Sequence, residues 1–138
     1  MIKLKEWDMM KKTIIVTIVV MVLAILIIGA LKVYEAKEIM NMQIDEMDLS
    51  NVPDGIYAGE EKYMAFVCKV NVTVKKNRIV DIAVFEGRES EYIERAKEVA
   101  DRVIENQSLE VDTVTGATVT SKAILKAIEK ALKSPRLD

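Results

Sequence analysis

Histidine is absent from the 138 residues, and cysteine occurs once, at Cys68. Without histidine the chain lacks the side chain that most often ligates transition metals and moves protons at neutral pH. Most metal sites and most acid–base catalytic designs are therefore excluded. One cysteine cannot form an intramolecular disulfide, and Cys68, inside an apolar stretch, reads as a small hydrophobe of a strand. An excess of one charge is missing too. The net charge is −2, which gives no reason to expect a nucleic-acid partner. No internal repeat is visible. Once a targeting segment is set aside, the length leaves room for one small domain.

The longest uncharged run is TIIVTIVVMVLAILIIGAL, Thr13 to Leu31. A bilayer crossing needs roughly 20 apolar residues, so the run predicts a transmembrane helix. A cleaved signal peptide would have a shorter apolar core, about 7–15 residues, and a small-x-small cleavage site. Cleavage after Ala30 or Ala36 would put Ile28 or Tyr34 at the third position before the cut. No cysteine stands at the end of the run to accept a lipid. An uncleaved signal anchor is the expectation. Lys3, Lys5, Lys11 and Lys12 precede the span, and only Lys32 and Lys37 follow it closely. This bias predicts a cytoplasmic N-terminus (1–12) and an extracytoplasmic remainder.

Residues 32–52 read as a stalk or linker. Asn51-Val-Pro-Asp-Gly55 is a turn signal and marks the start of a domain over 53–133, with 134–138 as a tail. Ile56 and Tyr57 open a short strand ending at Gly59. From Met64 to Lys75, Phe66, Cys68, Val70, Val72 and Val74 alternate with polar residues, the pattern of a half-buried antiparallel strand. Lys76-Asn77 is a tight turn. Arg78–Glu86, apolar on both faces, is expected as the more central arm. Ser90–Gln107 and Ser121–Lys133 repeat apolar residues at helical spacing. Ser108–Val111 reads as a short extended stretch, and Pro135 stops the last helix. The fold class is α+β: an N-terminal transmembrane helix, then a small, mostly antiparallel sheet packed by two helices.

DTVTGATVTSKA, Asp112 to Ala123, gathers four threonines around Gly-Ala just before the last helix. Three readings are open. Thr118, Thr120 or Ser121 could simply cap that helix. The loop could bind phosphate through free N–H groups, a glycine that permits close approach, and hydroxyls. The lack of a P-loop lysine and its spacing disfavours nucleotide hydrolysis. Or a hydroxyl could carry a covalent phosphodiester. That role needs no neighbouring base if a separate enzyme installs the group, unlike a nucleophile acting in turnover.

The stretch Asp112-Thr-Val-Thr-Gly-Ala-Thr118-Val-Thr-Ser121 resembles the D-x-x-[ST]-G-A-T-x-[ST]-S signature of the FMN-binding domain family. This family includes the flavin-carrying subunits of sodium-translocating NADH:quinone reductases and Rnf complexes, and small membrane-anchored flavoproteins. DGIYAGE, Asp54 to Glu60, is similar to its opening D-G-x-Y-x-G. The resemblance implies FMN joined through its phosphate to Thr118 by a flavin transferase that uses FAD and a divalent metal ion outside the cytoplasm. It implies that Asp112, Thr115, Gly116 and Ala117 form the loop the transferase reads, and that Thr120 and Ser121 support the phosphate and cap the helix. The segments Glu60–Met64 and Phe85–Glu91, which line the flavin ring in the family, depart from its usual pattern here. Tyr57 and Glu86 are the ring-side candidates, and Tyr57 equally fits plain core.

The expectation is an extracytoplasmic electron-transfer flavoprotein with one covalent FMN, no catalytic residue and no metal of its own. Its partners would be the membrane, a flavin transferase, and redox proteins or a quinone-linked membrane complex. The alternative is a non-flavinylated, or reversibly FMN-binding, interaction module of a membrane redox complex.

Overall fold

The computed structural model describes residues 2–63, 65–86 and 91–137; of Glu86 and Tyr92 only the backbone is described. The chain divides into two compact units, residues 1–34 and 35–138. Helix α1 covers Ile2–Met40. Its residues from Ile14 to Leu31 leave their large apolar side chains about half exposed or more. It is the one described helix long and apolar enough to cross a membrane. Unpaired peptide groups are what lipid penalises most, and an uninterrupted helix leaves none within such a span. Thr13 and Thr17 fold their hydroxyls back onto the carbonyls of Met9 and Thr13, at 3.0 and 2.9 Å.

The second unit is an antiparallel sheet with two helices on one face. Strands β1 (Gly55–Tyr63), β2 (Phe66–Lys75), β3 (Arg78–Glu86) and β4 (Arg136–Leu137) lie in the order β3-β2-β1-β4. Helices α2 (Glu91–Asn106) and α3 (Thr118–Lys133) complete it. The alternation in β2 is realised: Cys68, Val70, Val72 and Val74 are all buried beneath α3. Lys76 and Asn77 have φ of 52° and 58°, and successive left-handed residues are what a two-residue hairpin loop requires.

Two expectations are corrected. β3 is an edge strand, not a central one. Its extra apolar residues, Val80 and Phe85, face outward and are about half exposed. Asp81 pairs with Thr73 and Ile79 with Val74, so Val80 is the residue of a bulge. Gln107 covers this edge. Its side-chain amide accepts from Ile79 N–H at 2.9 Å and donates to Ile79 C=O at 2.8 Å. Such pairing blunts an edge that would otherwise bind another strand. Ser108–Val111 is not extended either; Val111 N–H turns back to Leu109 C=O at 2.9 Å.

Beyond Pro135 the chain adds β4, pairing Ile56 with Leu137 and Tyr57 with Arg136. Residues 35–52, read as a stalk, pack on the sheet-and-helix unit. Ile39 and Val52 are buried there, and Met42, Ile44, Met47 and Leu49 lie against the core.

Candidate functional site

The threonine loop joins α2 to α3. Val114 to Ala117 form a turn closed by Ala117 N–H to Val114 C=O at 2.9 Å. Gly116, third in that turn, has φ of 81°, the left-handed value a type II turn requires there. A Cβ at Gly116 would have only Arg95 Nη1 near it, at 3.6 Å, so the turn's outer side is open.

Helix α3 begins at Thr118, three residues earlier than the apolar pattern indicates. Its first internal bond is Ser121 N–H to Ala117 C=O at 2.8 Å. The N–H groups of Thr118, Val119 and Thr120 therefore have no acceptor within the helix. No side chain caps it: Ala117 occupies the N-cap position and makes no side-chain hydrogen bond. This corrects the expectation that a hydroxyl caps α3. Ser121 is fully buried, and its Oγ accepts from Val114 N–H at 3.2 Å, fastening the loop instead of the helix end.

The hydroxyls differ in access. Thr120 is 8 % exposed and Ser121 is inside the core. Thr115 is exposed, and Thr113 and Thr118 are half-buried. Ala117 is buried and anchors the loop, while Asp112 and Gly116 lie at the surface. The Thr118 hydroxyl has no hydrogen-bond partner among the described residues, which leaves its oxygen available for chemistry.

Two arginines of α2, which the sequence pattern presents only as surface charges, come to this loop. Arg102 Nη1 donates to Asp112 C=O at 2.8 Å and reaches Thr113 C=O at 3.4 Å. Arg95 lies over Gly116, paired with Glu91 at 2.6 Å. Helical periodicity places them on one flank, but only the path of the loop shows what they meet.

The opening motif serves packing. Asp54 Oδ1 accepts from Lys76 N–H at 2.7 Å. Tyr57 is buried and its hydroxyl donates to Pro53 C=O at 2.7 Å, so it is a core residue. Gly59 lets α3 touch β1: a Cβ there would fall 2.1 Å from Ala127 O and 2.5 Å from Ala131 N. The Glu86 side chain, Met64 and residues 87–90, where ring contacts are expected, lie outside the described residues.

The other end of α3 is densely ion-paired. Glu129, 2 % exposed, accepts from Lys133 at 2.6 Å, from Lys126 at 2.8 Å and from Asp45 N–H at 3.2 Å. Burial pushes the Glu129 carboxyl up, but these donors outweigh it and hold it below the ordinary range. Lys133 also pairs with Asp45 at 2.8 Å; this lowers the Asp45 carboxyl and raises the lysine. An open groove of about 950 Å³ lies near this end, bordered by Gly59, Glu60, Lys62, Lys69, Phe85 and Lys130. It contains none of the residues of the threonine loop. Along α3, Lys130 stands twelve residues from Thr118, roughly 18 Å at helical rise.

The chain is 31 % identical over 93 residues to an NADH:acrylate oxidoreductase of Vibrio harveyi, covering 62 % of this chain and 9 % of that protein. It is 32 % identical over 89 residues to an uncharacterized protein of Treponema pallidum, covering 63 % of this chain and 25 % of that one. The chain thus corresponds to a small part of each relative. Residues 67–133 match the family model of the FMN-binding domain. They take in β2 from its second residue, β3, both packed helices and the threonine loop, and over them the chain is similar to an FMN-binding domain.

Proposed function

We propose that the chain is a membrane-anchored, extracytoplasmic electron carrier holding one FMN as a phosphoester of Thr118. The observation that carries this reading is the local geometry of the loop in a matched FMN-binding domain. Thr118 is half-buried and opens a helix whose first N–H groups lack acceptors within the helix, beside the Gly116 turn, where a Cβ would meet only Arg95 Nη1. Donors and helix dipole together favour an anion at that point. Burial of Thr120 and Ser121 withdraws two of the competing hydroxyls. It also recasts the supporting role of Ser121, which ties the loop from inside.

Attachment exchanges the phosphoanhydride bond of FAD for a phosphoester bond to Thr118. The Thr118 oxygen bonds to the FMN phosphorus of FAD, the pyrophosphate bond breaks and AMP leaves. The threonine proton passes to a base of the transferase. Asp112, Thr115, Gly116 and Ala117 present the hydroxyl. The flavin, once held, supplies the redox chemistry; the chain supplies attachment, orientation and a tether. The partners would be the flavin transferase and redox proteins, or a quinone-linked complex, in the same membrane.

Two measurements test this. With a flavin transferase co-expressed, the wild-type band should fluoresce on a denaturing gel and Thr118→Val should not. A dark wild-type band beside an active transferase would favour the interaction module. For topology, Lys75→Cys in a Cys68→Ala background should react with a membrane-impermeant thiol reagent in intact cells. Reaction only after lysis would place the domain in the cytoplasm, away from the proposed site of flavin attachment.

A further inference from the structure

Arg102 lies on α2, yet its side chain belongs to the loop ten residues later. Nη1 donates to Asp112 C=O at 2.8 Å and reaches Thr113 C=O at 3.4 Å, while Nη2 donates to Glu98 Oε1 at 2.7 Å. The guanidinium is thus fixed from both sides, by a carboxylate one turn back and by the main chain of the loop. A planar fork with several donors can do both at once; a lysine ammonium has a single nitrogen to aim. The next residue, Val114, is also tied, its N–H by Ser121 Oγ and its C=O by Ala117 N–H. The main chain from Asp112 to Ala117 is therefore held at successive points, though neither helix nor strand includes it. Only the Thr115-Gly116 tip stands clear.

We propose that Arg102 is a positioning residue for flavin attachment. It holds the Asp112 and Thr113 carbonyls so that the Asp112–Thr118 segment meets the transferase in one conformation. This inference rests on Thr118 being the attachment site. An ordered acceptor loop loses less freedom when another protein's active site closes on it. The attacking oxygen must also lie close to its reaction path, and small misplacements slow transfer steeply. Glu98 acts through Arg102 by fixing the second arm of the fork.

The test uses the full chain in detergent with FAD, magnesium ions and a flavin transferase. Covalent fluorescence is followed in time at several acceptor concentrations. Arg102→Gln should lower kcat/KM for flavin transfer about tenfold, and Arg102→Lys, which keeps a donor for the carbonyls, should fall less. Lys97→Gln, which loses only a surface pair with Glu94, should match wild type. Amide hydrogen exchange supplies a readout independent of flavin. In Arg102→Gln the Val114 and Ala117 amides should exchange at least about tenfold faster, with the amides of α3 beyond Ser121 unchanged. If Arg102→Gln does not fold, Arg102→Lys is read in the same way, with partial effects expected in both measurements. A wild-type transfer rate in the variants overturns the proposal, whether or not exchange changes. Slow transfer with unchanged loop exchange also overturns it. No flavin uptake by wild type would instead remove the Thr118 assignment itself, an outcome distinct from either.

Discussion

At its carboxyl end α3 is held by charge, and at its amino end by backbone. Around Glu129 every carboxylate oxygen has a donor, and Asp45, Lys126 and Lys133 bind the segment after α1 to the helix. Lys122 and Lys126 extend the seam by donating to Met42 C=O and Gln43 C=O at 3.3 and 3.1 Å. Around Thr118 no side chain caps the helix, and three N–H groups have no acceptor within it. The saturated Glu129 cluster suits a fixed joint. An unsaturated end, its loop tied by Ser121 and Arg102, is where an anion would gain most.

The largest effect should come from the contact that sets the position of α3. Gly59→Val would drive a side chain into the backbone of Ala127 and Ala131. It should cost about 3 kcal/mol or more, enough to unfold a small domain. Chemical denaturation of the sheet-and-helix unit in the full chain measures it; a loss below about 1 kcal/mol would mean that α3 can lift off β1 cheaply.

Glu129→Gln leaves Lys126 and Lys133 short of a carboxylate. Both lysines touch water, so the loss should be about 2 kcal/mol, below the range for fully buried pairs. The same cluster sets the pH response. Asp45 and Glu129 sit below their ordinary values, so their stabilisation is present above those values and is lost as pH falls through the lowered ones. Lys133 is raised, so its contribution is complete below the ordinary 10.5 and is lost as pH climbs past the raised value. The melting temperature should drop on the acid side, and Glu129→Gln should flatten that drop. An acid limb identical in both proteins would break the contrast between the two ends.

At the other end the effects should be smaller and uncharged. Ser121→Ala strands the buried Val114 N–H and should cost about 1–2 kcal/mol with no pH dependence. Gly116→Ala meets no steric obstacle but carries φ of 81°. It should cost roughly 1 kcal/mol through the backbone alone. The two glycines thus separate space from conformation: a Gly59 variant fails on contact, a Gly116 variant on dihedral strain.

How much of this the sequence discloses follows the physics of each element. β2 is plain because one face is buried and the period of two is unbroken. β3 misleads because Val80 sits at a bulge and Phe85 faces outward, so its apolar content does not report its place in the sheet. β4 has two residues and no period to read. The start of α3 is hidden because threonines favour caps and turns over helix interiors, which makes Thr118–Thr120 look like loop. The threonine motif itself is legible as a chemical site. Its support is not: Arg102 appears as an ordinary pair with Glu98 until the loop is seen to pass beneath it. Ser121 looks like a cap by spacing and proves to be a buried tie.

The central claim is that Thr118 carries the flavin. The most direct measurement is the intact mass of the full chain made with a flavin transferase, followed by tryptic digestion and fragmentation of the Val103–Lys122 peptide. The account predicts a gain of one FMN less one water, borne by Thr118 and absent from Thr118→Val. The same gain on Thr113 or Thr115, or its persistence in Thr118→Val, would contradict it.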